Sequence, residues 1–189
     1  MIGEGLGPLL RLLAPEPGGA LTGPQGGAVR GLAYQVAEGL GAVPRATVAP
    51  LLAGLEVSGR QALRRLGLRV GWSRVYLAAA LKPRAVALRA LLWAVAERRA
   101  LPAPLPSPGR LSIVAAADAW PTAYYEAIGY PVVGGRAIRL DRLDQFEGEL
   151  GRRHRQGPVV PAPELAALIG VRLAELEGVI AGLGWRRRT

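Results

Sequence analysis

Gly67–Val95 reads GLRVGWSRVYLAAALKPRAVALRALLWAV, and a change of period inside it decides the fold class. Leu68, Val70 and Trp72, then Val75 and Leu77, fall about Gly71 as one strand or two short ones, with Arg69 and Arg74 on solvated positions. Pro83 stands where the first turn of a helix tolerates a missing N–H. Val86, Leu88, Leu91, Leu92 and Val95 then recur at helical spacing, so a long helix is predicted over Ala85–Arg99.

Upstream of this stretch the pattern is helical. Leu6, Leu9, Leu10, Leu12 and Leu13 predict a short amphipathic helix over Gly3–Leu13, and a Gly/Pro linker runs on to Gly27. Val29, Leu32, Ala33, Val36, Ala37 and Leu40 predict a second helix, stopped by Gly39 and Gly41. Val48–Leu55 reads as a third, and Ser58 as the N-cap of a fourth over Gly59–Leu66.

Downstream, LPAPLPSPG over Leu101–Gly109 holds four prolines and no charge, so it is expected to lie extended as a spacer. Leu111–Val114 then reads as a strand and Pro121–Ile128 as a helix closed by Gly129. Val132 and Val133 turn at Gly134–Gly135 into a second strand, Ala137–Leu140. Leu140, Leu143, Phe146 and Leu150 mark a helix with Asp141 and Asp144 near its start and Arg152 and Arg153 near its end, which complements the helix dipole. Pro163–Ile169 and Arg172–Leu183, broken at Gly170, form a helical hairpin followed by Trp185 and Arg186–Arg188.

The expectation is an α+β fold, mainly α-helical with a few short strands and no large sheet. Its parts would be a helical basic subdomain over 1–100, a Pro-rich linker over 101–109, a small α/β subdomain over 110–157, and a helical hairpin with a basic tail over 158–189.

Several chemistries are excluded by what the 189 residues lack. There is no cysteine, hence no disulfide scaffold, thiolate zinc site, iron–sulfur ligation or cysteine nucleophile, and the single histidine, His154, cannot build a multi-histidine metal site. The one lysine, Lys82, precedes Pro83 rather than ending a glycine-rich phosphate loop. No GxSxG elbow occurs, and Gly134–Gly135 reads as a hairpin turn rather than a dinucleotide fingerprint. Asp141 and Asp144 share a helix face, but their place near a helix start is what dipole complementarity selects. His154, inside RRHR, reads as a solvated residue. No catalytic residue, cofactor or metal is expected of this chain.

The positive signal is charge. The chain carries 24 Lys plus Arg against 14 Asp plus Glu, a formal net charge of +10. A high-GC coding sequence accounts for arginine over lysine, but not for the excess of basic over acidic residues. Between Glu56 and Glu97 no acidic residue occurs, while Arg60, Arg64, Arg65, Arg69, Arg74, Lys82, Arg84 and Arg89 all fall there. Solvated helices ordinarily mix signs to gain i,i+4 pairs, so a one-sign run points to a polyanion or an acidic partner. Arg60, Arg64, Arg65, Arg69, Arg74, Lys82 and Arg84 are the expected phosphate contacts. Trp72 or Tyr76, inside the block, is the expected platform for stacking on unpaired bases. The competing reading of both aromatics is the core, which is the expectation for Trp93 within LLWAV. Two further patches run through Arg152, Arg153 and Arg155 and through Arg186–Arg188. A helix-turn-helix over Pro163–Leu183 would carry Glu175 and Glu177 towards phosphates, which argues against groove reading there.

The same Gly67–Val95 stretch resembles the C-terminal region of alphaproteobacterial helicases related to the mitochondrial-degradosome RNA helicase, a DExH-type superfamily-two family. Gly67, Arg69 and Gly71 match its G-x-R-x-G, Leu81–Pro83 its LKP, and Leu91–Ala94 its LLWA. PTAYYEAIGYPVVGGRAIRLDRLDQFEGEL, LAALIG, IAGLGWR and GAVRGLAYQVAEGLG over Gly27–Gly41 extend the resemblance over nearly the whole chain. It implies a region beyond the ATPase core. The Walker-type, DExH and arginine-finger motifs do not occur here, so no ATPase residue carries over.

The expected function is therefore a non-catalytic helicase accessory domain binding single-stranded RNA or DNA, with a helicase motor domain as a further partner. The alternative is a protein-interaction module docking on such a motor or on a degradation partner. Val75–Ala96 is interrupted by Lys82, Pro83, Arg84 and Arg89 and is too broken to span a membrane, and Met1–Pro15 lacks the pattern of a signal peptide, so a cytoplasmic location is expected.

Overall fold

The computed structural model describes residues 25–115 and 120–185; the helix expected over Gly3–Leu13 and the Arg186–Arg188 tail lie outside them. The chain divides into two compact units, Met1–Leu92 and Trp93–Thr189. Both are α+β, with helices around a three-stranded antiparallel sheet.

In the first unit, α1 (Gly26–Glu38) buries Val29, Leu32, Ala33 and Val36, the i, i+3, i+4, i+7 stripe its sequence predicts. Short strand β1 (Ala42–Pro44) follows, then α2 (Ala49–Ala53), which carries Pro50 in its first turn. Three residues, Gly54, Leu55 and Glu56, lead into α3 (Val57–Arg65). Ser58 does not cap this helix. It lies inside α3, with Glu56 at the N-cap position, because Gln25 reaches across from the start of α1 and accepts the Glu56 N–H through Oε1 at 3.1 Å.

Strands β2 (Leu68–Val70) and β3 (Arg74–Leu77) form a hairpin in the register Val70 with Val75 and Leu68 with Leu77. β1 adds to the other side of β3, Val43 facing Val75, so the sheet order is β1-β3-β2. One core gathers Val29, Leu32 and Val36 of α1, Leu52 of α2, Leu63 of α3 and Leu68, Val75 and Leu77 of the sheet. A 3-10 turn, Ala78–Leu81, then leads into α4 (Pro83–Ala96), which ends three residues short of the expected Arg99 as Arg98 turns to φ +52°. The division between units falls within α4, between Leu92 and Trp93.

The second unit opens with the Pro-rich segment. Tyr124 Oη donates to the Pro104 carbonyl, and Tyr130 Oη donates to that of Arg110 at 3.0 Å, so two phenols fasten the extended backbone. Burial raises the pKa of the Tyr124 phenol to about 12, which keeps it a donor at any ordinary pH. Trp93 packs among Trp120 and Tyr124, with ring centroids 5.9 and 5.3 Å away.

β4 (Ser112–Val114), α5 (Thr122–Ala127), β5 (Val132–Val133) and β6 (Arg136–Ile138) follow, with sheet order β4-β6-β5. Gly134 and Gly135, at φ +57° and +77°, form the two-residue turn between β5 and β6. Then come α6 (Leu140–His154), α7 (Pro163–Ile169) and α8 (Leu173–Gly182), the last two joined through Gly170 in the left-handed region. Val133, Ile138, Leu143, Phe146, Leu150, Leu165, Ile169, Leu176 and Val179 share one core. Residues expected in the 110–157 subdomain and in the 158–189 hairpin thus pack together within the second unit.

Candidate nucleic-acid interface

α3 is two-faced for a reason visible residue by residue. Gly59, Ala62 and Leu63 are buried against the first unit's core, while Val57, Ser58, Arg60, Gln61, Arg64 and Arg65 are exposed. At 100° per residue the exposed positions cover roughly 160° of arc. Arg64 and Arg65 also occupy the last turn, where the negative end of the helix dipole favours cations. Three of the expected phosphate contacts, Arg60, Arg64 and Arg65, therefore share one solvent face.

Arg69 is exposed on β2, opposite Tyr76 in the ladder. Beyond it the chain turns through Trp72 and Ser73, closed by the Gly71 N–H donating to the Arg74 carbonyl at 2.8 Å. Arg45, just after β1, fixes this tip. Its backbone N–H donates to the Ser73 carbonyl at 2.8 Å and its Nη1 to the Gly71 carbonyl at 2.9 Å. Trp72 stands at the apex with half its surface exposed (50%).

The two aromatic candidates part here. Tyr76 is 5% exposed, so it is not a stacking platform. β3 is the middle strand of its sheet, and Val75, Tyr76 and Leu77 are all buried, so both of its faces are covered. Arg74, at the start of β3, is half-buried. Lys82 and Arg84 are exposed where α4 begins, outside the helix pair and the hairpin.

Arg89 leaves the basic surface altogether. It is 1% exposed, with Nη1 donating to the Ala80 carbonyl at 3.2 Å while Nε and Nη2 have no hydrogen-bond partner among the described residues. Burial pushes its pKa down to about 10.

The patch through Arg152 and Arg153 is partly neutralised. Arg152 and Arg153 both bond Glu149, whose carboxyl they hold down at about 2. The α7–α8 pair shows a different surface from α3. Glu175 is engaged by Arg172 and, at 3.6 Å, by Arg136, and the exposed positions Leu173, Ala174, Glu177, Gly178, Ala181 and Gly182 carry no cation. Among the described residues no three His, Cys, Asp or Glu side chains gather as a metal site would, and no helix is long and apolar enough to cross a membrane.

Three residues of this surface were not singled out as binding groups by the sequence: Ser58, Gln61 and Arg45. The signal for the first two was two short helices separated by a glycine-containing turn of three residues, the spacing of a helix-turn-helix. The role of Arg45 depends on β1 lying beside β3 and has no local signal. Comparison with protein-family models, with curated proteins and with solved structures finds no match to this chain.

Proposed function

We propose that the first unit is a nucleic-acid-binding module, a helix-turn-helix formed by α2 and α3 with the β2–β3 hairpin as its wing. The observation that carries this reading is the exposed face of α3. A helix-turn-helix lays its second helix along nucleic acid, and here that helix offers Arg60, Arg64 and Arg65 to phosphates and Ser58 and Gln61 as hydrogen-bonding groups for base edges. Arg69 extends the cationic surface onto the sheet, and Trp72 adds an aromatic at the wing tip. With the sequence resemblance beside it, the chain is read as a non-catalytic accessory region of an ATP-dependent helicase, holding the strand for a motor located elsewhere.

The test is fluorescence anisotropy of the whole chain against a single-stranded RNA, the matching single-stranded DNA and a duplex, each at several salt concentrations. Four phosphate contacts, one each from Arg60, Arg64, Arg65 and Arg69, give a slope of log K against log salt of about −3.6 on duplex and about −2.8 on single strands. Duplex affinity then falls about 150-fold between 50 and 200 mM salt. Arg64→Glu with Arg65→Glu removes two contacts, brings the duplex slope to about −1.8 and weakens binding at least tenfold. Unchanged affinity and slope in that variant would refute the assignment.

A second reading, docking on a protein, is favoured by α4, where Leu91 and Leu92 are 43% and 37% exposed. Absence of salt-dependent binding to every polymer, with capture of one protein partner lost on Leu91→Ser, would select it.

A further inference from the structure

The polymer a basic surface prefers is set by what else it carries, and this one carries an indole. Trp72 is 50% exposed at the apex of a two-residue turn, in a unit whose other sheet aromatic, Tyr76, is buried. The apex is fastened through three backbone groups. The Gly71 N–H bonds the Arg74 carbonyl, and Arg45 bonds the carbonyls of Ser73 and Gly71, so two of the tip's acceptors are occupied and the turn that carries the half-exposed indole is braced.

A duplex groove offers such a ring little. Groove floors present donors, acceptors and methyl groups at base edges, and groove walls present phosphates. A flat aromatic face finds its match in the π face of a base, which is bare only where stacking ends, at a duplex terminus or on an unpaired nucleotide. α3, by contrast, has what a paired region takes: arginines for two phosphate rows and Ser58 and Gln61 for edges. Only Leu66 and Gly67 separate α3 from β2, so both parts belong to one continuous piece of chain.

Resting on the nucleic-acid reading above, we propose that the first unit recognises the junction between double- and single-stranded nucleic acid, with α3 on the paired side and Trp72 stacked on the first unpaired base. Arg69, on the strand between them, meets the phosphates that cross the junction.

The experiment uses the whole chain and three DNA probes: a blunt duplex, a single strand, and a duplex with a single-stranded tail whose first unpaired base is 2-aminopurine. Anisotropy reads affinity, and 2-aminopurine fluorescence reads stacking. The tailed duplex is expected to bind about tenfold more tightly than either other probe, with the 2-aminopurine quenched on binding. Trp72→Ala lowers affinity for the tailed duplex to the variant's own affinity for the blunt one and abolishes the quench; on the blunt duplex, whose terminal pairs also bare a π face, it costs at most about twofold and leaves the salt slope unchanged. Trp72→Phe keeps most of both. Trp72 lies outside the buried core, and an unchanged far-ultraviolet circular dichroism melt is the check that the variant is folded. Equal binding of all three probes, or a Trp72→Ala loss that falls equally on all of them, overturns the junction assignment and leaves the nucleic-acid reading standing. Salt-independent or absent binding to all three overturns both.

Discussion

Four glycines at one contact of the second unit should respond to alanine in four different ways. The β5–β6 turn lies against the backbone of α8. A Cβ added at Gly134 falls 2.5 Å from the carbonyl carbon and oxygen of Gly178 and 2.6 Å from the Val179 nitrogen. These are backbone atoms of a helix and cannot rotate aside. Gly134 also sits at φ +57°, where alanine costs about 1 kcal/mol before any clash. Gly135 shares that penalty, at φ +77°, but a Cβ there meets nothing within 4 Å. At Gly182 the new Cβ is 2.8 Å from the Gly134 nitrogen and 3.0 Å from Val133 Cγ1, whereas at Gly178 the nearest atom is the Gly134 carbonyl oxygen at 3.9 Å. Overpacking costs about 1–3 kcal/mol, and glycine to alanine inside a helix gains up to about 1 kcal/mol. Gly178→Ala should therefore stabilise by up to about 1 kcal/mol and Gly135→Ala destabilise by about 1. Gly182→Ala should cost about 1–2, its helical gain being small at the last residue of α8, and Gly134→Ala about 2–4. Urea denaturation followed by tryptophan fluorescence reads mainly this unit, because Trp93, Trp120 and Trp185 belong to it and Trp72 alone to the first. The midpoints should order Gly178→Ala, wild type, Gly135→Ala, Gly182→Ala, Gly134→Ala with a common m value. If Gly178→Ala and Gly182→Ala shift the same way, or Gly134→Ala is no worse than Gly135→Ala, the packing argument fails.

Glu149, held by Arg152 and Arg153, and Glu175, held by Arg172, both have carboxyls lowered from 4.5 to about 2. A carboxyl depressed in the folded state stabilises fully above its unfolded pKa and loses that contribution as pH falls through the folded value, so second-unit stability should decline between about pH 4.5 and 2. Glu149→Gln with Glu175→Gln should flatten urea midpoints measured across that window, and an unchanged pH dependence would refute the pairing. Arg89→Met should raise first-unit stability by about 1 kcal/mol, since it removes a buried cation with two unpartnered nitrogens at the loss of one bond to Ala80; a lowered urea midpoint would show that the guanidinium has a partner. Tyr76→Phe should leave oligonucleotide affinity within about twofold, because the ring is inside the sheet; an anisotropy loss like that of Trp72→Ala would place it on the surface instead.

Apart from β1, the described helices and strands were legible because each segment carries one dominant period and a clear stop. Val29, Leu32, Ala33 and Val36 place α1, and Pro163, Gly170 and the apolar spacing between them place α7. What local pattern could not give was assembly. β1 is three residues long with one buried side chain, Val43, too little for a period, yet it completes the sheet and carries Arg45 to the hairpin tip. Ser58 is a good cap by residue type, but the start of α3 is satisfied from a distance by Gln25, 31 residues away from Glu56, and no cap rule sees that. Trp72 and Tyr76 both lie inside the basic block, and nothing local tells them apart as stacking platforms. They part because β3 lies between two neighbours and is buried on both sides, while Trp72 lies beyond the ladder in the turn.

The basic block shows the same limit from the side of charge. A run without acids between Glu56 and Glu97 is plain in the sequence, but the fold distributes its cations unequally: Arg60, Arg64 and Arg65 to one helix face, Arg69 to the adjoining strand, Arg74 to partial burial and Arg89 to the interior. Charge density along the chain therefore overstates the cationic surface open to solvent, and the 3.6-residue period within α3 is the better guide. The second unit supplies the contrast. Its α7–α8 pair is also two short helices joined by a three-residue turn, yet the surface of α8 holds Glu177 and two glycines, Gly178 and Gly182, drawn close to the β5–β6 turn. Of these positions only Gly182 lacks room for a side chain against the turn; the other exposed positions of α8 have room and carry no cation. The two pairs share their short helices and turn length, and what separates them is what each second helix does with its outward face.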